Sequence, residues 1–299
     1  MLRISVVIPH LNQPDFLARC LASLDGGKRR PDQVIVADNG SRDMPRAVCD
    51  NRPDTVLLQE LRPGPGLARN AGAAAANGDI LAFIDADCTA DPDWLAQAER
   101  AMADPGAMIL GGDVRINCAD SVRPSLTESY ESIYGYRMDR YIAEQGFTGT
   151  GNLVTRREVL EDVGPFGGID IAEDRDWGRR AGAKGYEIRF IAPMRVYHPA
   201  RASLADLFLK WDRQLAHDYH LALQQSRGRL KWLLKAFAML PSVLIEIPHI
   251  LTSNRVSGLR ARGLAFWGLF RIRLHRACRM FALMRGGDHS RLSGRWNRS

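Results

Sequence analysis

Two groups of acidic residues stand where carboxylates could do chemistry. In the first, Asp85 and Asp87 are separated by one alanine and directly follow the apolar run Ile80–Ile84. Carboxylates this close together are costly without a positive partner, and a divalent cation that carries a phosphate ligand suits them best. Two surface aspartates that open a turn would also explain Asp-Ala-Asp alone, so a metal site and an exposed turn both stay open at this point.

The second group consists of Glu173, Asp174 and Asp176, which open a predicted helix after the glycine-rich loop Gly164–Gly168. Acids in a first helical turn interact favourably with the helix dipole, which gives some of them a structural explanation. A general base, however, must lie within hydrogen-bond reach of the proton that it removes, and the end of an element is a suitable position for it. Three acids in four positions after such a loop therefore favour acid–base chemistry.

A third candidate is the stretch from Gly64 to Asn70, which follows the third predicted strand. Gly64-Pro65-Gly66 begins like a dinucleotide-binding fingerprint, but Arg69 occupies the third glycine position, so that interpretation is poor. A loop, a helix start and an arginine one turn into the helix suit contact with a diphosphate or a nucleoside. The structural alternative is that Arg69 and Asn70 only cap and solvate the helix.

The elements that must position these residues follow from the alternation of apolar runs and amphipathic stretches. Strands are predicted at residues 3–9, 33–38, 55–58 and 80–84, with helical patterns between them. Such alternation with short links is typical of a parallel sheet that is covered on both faces. Polar residues follow all four strands, at Pro9-His10, Asp38-Asn39, Gly64–Asn70 and Asp85/Asp87. A ligand that lies along the carboxyl edge of this sheet would touch each of them.

Two later stretches add less specific signals. Residues 125–143 contain four tyrosines among charged residues, for which helical packing explains more than a sugar-stacking face does. His198 ends an apparent strand, next to Pro199 and Arg201. A structural role and contact with a ligand are equally compatible with this position.

Charge is unevenly distributed along the 299 residues. Residues 1–200 carry 23 Lys and Arg against 29 Asp and Glu, a net charge of −6, whereas residues 201–299 carry 18 against 5, a net charge of +13. The basic tail predicts an anionic partner surface, and no recognised nucleic-acid module accompanies it. Five cysteines without a CxxC pair favour a reducing compartment. Because no signal peptide is recognised, we expect a cytoplasmic protein.

The basic tail contains two apolar stretches. Residues 230–251 are long enough to span a bilayer, but Pro241, Pro248 and Glu246 favour a kinked helix that lies at the membrane interface or packs on the body. Residues 259–283 alternate arginines with large apolar side chains, which predicts a basic amphipathic helix on a membrane surface. The alternative for this helix is packing within the protein, or a dimer contact with a solvated arginine face.

In order and spacing, the motifs resemble those of the family 2 glycosyltransferases with the GT-A fold. They are Val7-Ile8-Pro9, Ile35–Ser41, Ala68–Gly72, Asp85-Ala86-Asp87 and Glu173–Trp177. The resemblance spans residues 3 to about 201, and its specificity comes from five motifs in sequence, each at the end of an element. It implies an α/β, Rossmann-like and mostly parallel sheet flanked by helices, in a catalytic domain of residues 1–225. A basic amphipathic helical extension, residues 226–299, would follow.

The resemblance also implies an activity of the hexosyltransferase class. A sugar would pass from a nucleoside diphosphate donor, with a UDP-sugar favoured, to a hydroxyl of a glycan or lipid-linked acceptor. The anomeric carbon would be inverted, and the pathway would be cell-surface polysaccharide synthesis. Such a transfer is one in-line displacement, with a base on one face of the sugar and charge neutralisation of the leaving diphosphate on the other.

The roles of single residues are carried over motif by motif. Pro9, Asp38 and Asn39 would line the base and ribose site, although Ala37-Asp38-Asn39 lacks the two consecutive acids that many relatives carry. Arg69 would lie beside the nucleotide. The residues implied for Mg²⁺ or Mn²⁺ are Asp87, Asp85, which also approaches the ribose, and His198. The implied base is Asp174, with Glu173 as the second choice.

Two other functions remain open from the residues. A nucleotidyltransferase would also use Asp-x-Asp for metal and phosphates, but it does not need Glu173-Asp174 after a glycine loop. A catalytically inactive, membrane-bound binding protein would require none of the acids. The expected partners are a nucleotide sugar, its acceptor and an anionic membrane surface contacted by residues 226–299, with a homodimer as a further alternative. Nucleic acid is not expected, and the expected location is peripheral, on the cytoplasmic face of the membrane.

Overall fold

The computed structural model describes residues 2–50, 52–169, 171–224 and 226–285. The chain forms two compact units. The first combines the residues up to Arg115 with Tyr136–Pro199, and the second combines Ile116–Gly135 with the chain from Ala200 onward. The second unit thus includes two segments that precede residue 225, the predicted end of the catalytic domain, and this functional boundary stays a prediction.

The strands form one eight-stranded sheet. They are β1 (Ile4–His10), β2 (Gln33–Asp38), β3 (Thr55–Gln59), β4 (Ile80–Ile84), β5 (Thr89–Ala90), β6 (Ile109–Asn117), β7 (Asn152–Arg156) and β8 (Ile188–Pro199). Their order is β3-β2-β1-β4-β7-β6-β8-β5. The first four run parallel, whereas β7 is antiparallel to β4 and to β6, and β5 is antiparallel to β8. The predicted α/β sheet is confirmed, with its parallel part confined to one half.

Helices connect and cover these strands. They are α1 (Pro14–Asp25), α2 (Arg46–Cys49), α3 (Pro65–Ala75), α4 (Trp94–Met102), α5 (Leu126–Tyr134), α6 (Met138–Gln145), α7 (Arg157–Val163) and α8 (Glu173–Ala183). Proline opens α1 and α3, where its missing N–H costs no intrahelical hydrogen bond. The tyrosine-rich stretch forms two helices rather than one, because Gly135 ends α5 and Tyr136 has a φ of 49°.

Two apolar clusters cover the two faces of the sheet in the first unit. Ile4, Val6 and Ile8 of β1 point to one cluster, and Val7 points to the other. This alternation follows from the two-residue period of a strand and lets α1 and α4 pack on one face and α8 on the other. Pairing of β1 with β2 then places His10 beside Asp38 at the carboxyl edge. The buried strands thus fix the positions of the polar residues that follow them.

Gly72 of α3 offers a test of this packing. A Cβ atom at Gly72 would lie 2.5 Å from Cγ1 of Val7 on β1. We expect Gly72→Ala to lower the free energy of unfolding by about 1–3 kcal/mol, because α3 must move away from the sheet. Gly182→Ala is the control, since a Cβ atom at Gly182 would meet no atom within 4 Å. Urea denaturation measures both variants, and equal stabilities of the two would contradict this account of the α3 packing.

The second unit is helical. Besides α5 it contains α9 (Leu204–Leu223), α10 (Gly228–Ala238), α11 (Ser242–Ile245), α12 (Ile247–Thr252) and α13 (Gly258–Met284). The predicted helix over residues 259–283 therefore forms, as α13. Its small and apolar side chains pack against α5, α9 and α10. For the apolar side of α13, the alternative of packing within the protein is therefore the one that the structure shows.

The helices of the second unit differ from a membrane span in length and hydropathy. Among the residues that the structure describes, no single helix is long and apolar enough to cross a bilayer. Gly228–Ala238 and Ser242–Thr252 meet the requirement as a pair by length and composition alone, with a bend of 64° between them.

Candidate active site

The ends of β1 and β2 are joined by a buried polar network. His10 and Asp38 have fully buried side chains, and Nδ1 of His10 donates to Oδ1 of Asp38 at 2.9 Å. The other ring nitrogen accepts from the backbone N–H of Gln13, which assigns the proton to Nδ1. Ser41 donates its hydroxyl to Oδ1 and its backbone N–H to Oδ2 of Asp38. Both carboxylate oxygens of Asp38 thus have protein partners.

Asn39 holds the loop that leads into α3. Its Nδ2 donates to the carbonyl oxygens of Glu60 and Arg62, and its Oδ1 accepts from the backbone N–H of Gly64. Pro9, one register position before His10, is half-buried in β1. Pro9, Asp38 and Asn39 lie together at the edge of the sheet. The side chains of Asp38 and Asn39 stabilise the neighbouring loops through these hydrogen bonds.

Arg69 connects the two acidic motifs. Its guanidinium group, only 5% exposed, donates from NH2 to Oδ1 of Asp85 at 2.6 Å and from NH1 to Oε1 of Glu173 at 3.0 Å. Burial acts to lower the pKa of Arg69, but the two carboxylates outweigh it and raise that pKa, so the charge persists. The Nε atom is buried without a hydrogen-bond partner in the described structure. These two ion pairs, which we name the Arg69 bridge, connect the Asp85/Asp87 motif to the Glu173/Asp174 motif.

Glycines allow the close contacts around this bridge. A Cβ atom at Gly151 would lie 2.6 Å from Oδ2 of Asp85, and one at Gly66 would lie 2.2 Å from the carbonyl oxygen of Gly167. The Gly149–Gly151 turn thus lets the backbone approach Asp85 closely. Any side chain at Gly151 or Gly66 would displace the acids from the edge of the sheet.

Asp85 and Asp87 form the part of the site that suits a metal ion. One potential ligand atom from each of Asp85, Asp87 and Cys88 lies within 4.8 Å of the others. Burial, assisted by the negative charges of Asp85 and Asp87, raises the pKa of the Cys88 thiol well above its usual value. Carboxylate oxygens are the ligands that Mg²⁺ and Mn²⁺ prefer. The two carboxylates fit such an ion without Cys88.

His198 lies beside this group rather than within it. Its Nε2 is 3.3 Å from Oδ2 of Asp87 and 3.0 Å from the hydroxyl oxygen of Tyr136, and its Nδ1 donates to the carbonyl oxygen of Pro199. Burial opposes the charge of both groups, yet their mutual hydrogen bond and attraction lower the pKa of Asp87 and raise that of His198. His198 is thus a neighbour of Asp87, and its tie to Tyr136 was missed by sequence reasoning.

Glu173 and Asp174 begin α8 but have different surroundings. Glu173 is neutralised by Arg69, whereas Asp174 forms no ion pair within the described chain and accepts only from the backbone N–H of Arg175 at 2.7 Å. Burial, assisted by the negative charge of Glu173, raises the pKa of Asp174. A carboxylate without a cation is a stronger proton acceptor than its paired neighbour. This environment selects Asp174 as the candidate base.

Asn152, a buried residue that sequence reasoning did not single out, links several elements next to the candidate active site through its hydrogen bonds. Asn152 accepts from Nε1 of Trp94 and donates to the carbonyl oxygens of Asp113 and Met194, at 2.8–2.9 Å. It ties β7 to α4, β6 and β8 next to Gly151. The sequence offered no signal for this role, because the three partners are distant along the chain.

Comparison with known proteins places this geometry in a family. The chain matches the family described as Glycosyl transferase family 2 over residues 5–164. It is 31% identical over 208 residues to glycosyltransferase AglE of Haloferax volcanii, covering 66% of this chain and 67% of that protein. It is 31% identical over 189 residues to the uncharacterized glycosyltransferase alr2836 of Nostoc sp., covering 59% of this chain and 56% of the relative. The chain thus spans between half and two thirds of these relatives.

Solved structures agree on the fold. A mannosyltransferase of Pyrobaculum calidifontis, PcManGT, in complex with GDP-Man and Mn²⁺, superposes with a TM-score of 0.61 over 96% of this chain and 88% of that one, at 18% identity. TarS 1–349 of S. aureus in complex with UDP-GlcNAc superposes with a TM-score of 0.54 over 95% and 92% of the two chains, also at 18% identity. Identities this low bear on the fold alone. Together with the family match over more than half of its length, they confirm that this chain belongs to the family 2 glycosyltransferases and has the GT-A fold.

Proposed function

We propose that this glycosyltransferase is metal-dependent and inverting, and that it moves a sugar from a nucleoside diphosphate to an acceptor hydroxyl. The observation that carries the proposal is the Arg69 bridge. On one side of this buried cation lie Asp85 and Asp87, and on the other lie Glu173 and Asp174, which has no ion pair among the described residues. In this proposal, one guanidinium group would set the spacing between a donor side and an acceptor side.

On the donor side, Asp87 and Asp85 would hold Mg²⁺ or Mn²⁺, with His198 next to Asp87. When bound, such an ion supplies a Lewis acid that neutralises the leaving diphosphate. Arg69 adds a fixed positive charge, since its two carboxylates keep it ionised and oriented. Pro9, Asp38 and Asn39 would line the site of the nucleoside, where hydrogen bonds hold the side chains of Asp38 and Asn39 in place.

On the acceptor side, Asp174 would remove the proton of the attacking hydroxyl. One of its oxygens accepts from the backbone N–H of Arg175, which orients the carboxylate and leaves the other oxygen for the hydroxyl. A raised pKa brings the basicity of Asp174 closer to neutral pH, where general bases work best. Attack opposite the leaving diphosphate would invert the anomeric carbon.

For the donor we propose a UDP-sugar, and GDP-sugars are the matched alternative. The complexes of TarS and PcManGT support a nucleotide sugar in general, since one contains UDP-GlcNAc and the other GDP-Man with Mn²⁺. For the acceptor we propose a hydroxyl of a glycan or of a lipid-linked sugar, in the synthesis of a cell-surface polysaccharide. The basic C-terminal third of the chain supports an anionic or lipid-associated acceptor.

We place the enzyme at the cytoplasmic face of a membrane, contacted by residues of the basic extension 226–299. All five cysteines are free, which suits a reducing compartment. We also propose that the catalytic domain comprises residues 1–225. A homodimer is a further alternative. Size-exclusion chromatography coupled to light scattering would establish the oligomeric state.

A panel of nucleotide sugars, incubated with Mg²⁺ or Mn²⁺, tests the activity through release of the nucleoside diphosphate. We expect Asp87→Ala to weaken the apparent affinity for the metal by at least about 10–100-fold, the usual cost of losing a partner of a metal ligand, because here one of two carboxylate ligands is itself lost. Asp15→Ala, which removes an exposed carboxylate in the first turn of α1, is the control and should match the parent protein.

Other results of the same assay would point elsewhere. If a nucleoside triphosphate and a sugar phosphate gave pyrophosphate while no nucleotide sugar was consumed, the enzyme would be a nucleotidyltransferase. If calorimetry found no binding of any nucleotide sugar, the chain would be an inactive member of the family.

A further inference from the structure

Three consecutive helices of the second unit expose an apolar surface, which we name the α10–α12 face. Its exposed side chains are Leu230, Leu234, Phe237, Leu240, Leu244, Ile245, Ile247 and Leu251. Leu230, Leu234 and Phe237 lie on one side of α10, because positions four and seven apart share a helix face. The opposite side, with Trp232 and Ala236, is buried against α9 and α13.

The exposed side continues beyond α10. Val243 of α11 and Ile250 of α12 are buried in the core of the second unit, while their neighbours Leu244, Ile245 and Leu251 are exposed. Phe237 is 64% exposed and Ile245 is 77% exposed, although both are large apolar residues. Large apolar side chains exposed along three successive helices are typical of a surface that binds a membrane or another protein.

The charge of this part of the chain favours a membrane with anionic lipids. Residues 226–285 contain 12 Lys and Arg but one acid, Glu246, which is paired with Arg273. Lys235 and Arg279 pair with Asp218 and Asp212 of α9. Arg227, Arg229 and Lys231 are exposed at the start of α10. Apolar side chains that enter the acyl boundary, with cations at the level of the headgroups, are the features of an interfacial helix. A neutral protein partner would leave the exposed cations at the start of α10 uncompensated.

The bend between the helices argues for an orientation in the plane of the membrane. The two helical segments on either side of Pro241 are inclined by 64°, and neither alone reaches the length of a span. The sequence pattern favours α13 as the surface-binding helix, but α13 buries Leu269, Ile272 and Met280 inside the unit. We propose that the α10–α12 face, rather than α13, inserts into the headgroup region of an anionic bilayer. The proposal rests on the proposed function, since it names the membrane that would carry the acceptor.

Cosedimentation of the full chain with vesicles tests this surface. Vesicles of phosphatidylcholine, with or without phosphatidylglycerol, are mixed with the parent protein and with Phe237→Gln/Ile245→Gln. We expect the double variant to bind phosphatidylglycerol vesicles at least about tenfold more weakly, because two large side chains no longer enter the acyl boundary. The parent protein should bind pure phosphatidylcholine more weakly and release with salt.

The matched control removes two apolar side chains that are at least as exposed. Val122→Gln/Leu259→Gln changes residues that are 81% and 83% exposed, one before α5 and one in α13, and it should bind as the parent does. Equal losses in both double variants, a loss only in the control, or no binding by the parent protein would overturn the proposal. So would a parent dimer that Phe237→Gln/Ile245→Gln converts to a monomer, since the face would then bind a second copy.

The test is separable from the proposed activity. Donor hydrolysis without lipid should be the same in the parent protein and in Phe237→Gln/Ile245→Gln, because neither residue belongs to the candidate active site. A parent protein that binds vesicles but consumes no nucleotide sugar would contradict the proposed function and leave the membrane surface intact. Unchanged circular dichroism and thermal midpoint would show that the variant is folded.

Discussion

Asp174→Asn is expected to lower kcat by about 10²–10⁴-fold, the contribution of a positioned general base, while the affinity for the donor stays unchanged. Asparagine keeps the size and the hydrogen bond to the backbone N–H of Arg175 but cannot take a proton. Glu173→Gln is the informative neighbour, because it changes the carboxylate that Arg69 already neutralises. If Glu173→Gln removed turnover by itself and Asp174→Asn did not, the base would be Glu173.

The raised pKa of Asp174 gives the same variant a stability signature. Burial disfavours the ionised carboxylate, so its pKa is higher in the folded chain than in the unfolded chain. The unfolded state then releases its proton more readily, and the contribution of this group to stability, complete below the unfolded-state pKa, is lost as the pH rises through the folded-state pKa. At neutral pH, Asp174→Asn should therefore unfold at the same or a higher temperature than the parent protein. The turnover of the parent protein should fall as the pH is lowered. The apparent pKa of this fall should lie above the usual pKa of aspartate.

The sequence placed most of the site because the relevant information is local. A buried strand has a two-residue period, and parallel strands bring their carboxyl ends to one edge, so Asp38, Asp85 and Asp87 could be placed together from apolar runs alone. The start of α8 was also readable, since Glu173 and Asp174 follow a glycine-rich loop. The difference in charge environment between Glu173 and Asp174 could not be predicted from the sequence pattern, because it depends on the guanidinium group of Arg69 in α3.

The remaining differences come from long-range contacts. Asp38 is predicted to line the nucleoside site, and this stays a prediction. The hydrogen bonds of its two oxygens with His10 and Ser41 could not be predicted, because only the folded loops bring these groups together. In the tail, a period typical of an amphipathic helix identified α13 correctly as a helix. The period does not reveal what the apolar side contacts, and here that side packs on α5, α9 and α10.

Substitution of Arg69 is expected to lower both the free energy of unfolding and the turnover. Arg69→Met leaves Asp85 and Glu173 without their shared cation, and breaking such a buried ion pair costs about 3 kcal/mol, at the lower end of the usual range because both carboxylates keep some contact with water. Turnover should fall by about 10³-fold or more, since the donor-side and acceptor-side carboxylates lose their fixed spacing and the diphosphate loses a positive charge.

Two further substitutions separate the geometry of Arg69 from its charge. Arg69→Lys keeps the charge but cannot reach both carboxylates with a planar fork, so it should recover part of the unfolding free energy and little of the turnover. Arg62→Met removes a largely exposed arginine that pairs with Glu60, and it should change neither quantity measurably. Denaturation with urea and donor hydrolysis measure the two effects in parallel. Full turnover in Arg69→Lys would mean that a positive charge near Asp85 suffices, and that the two-sided bridge has no part in positioning the base.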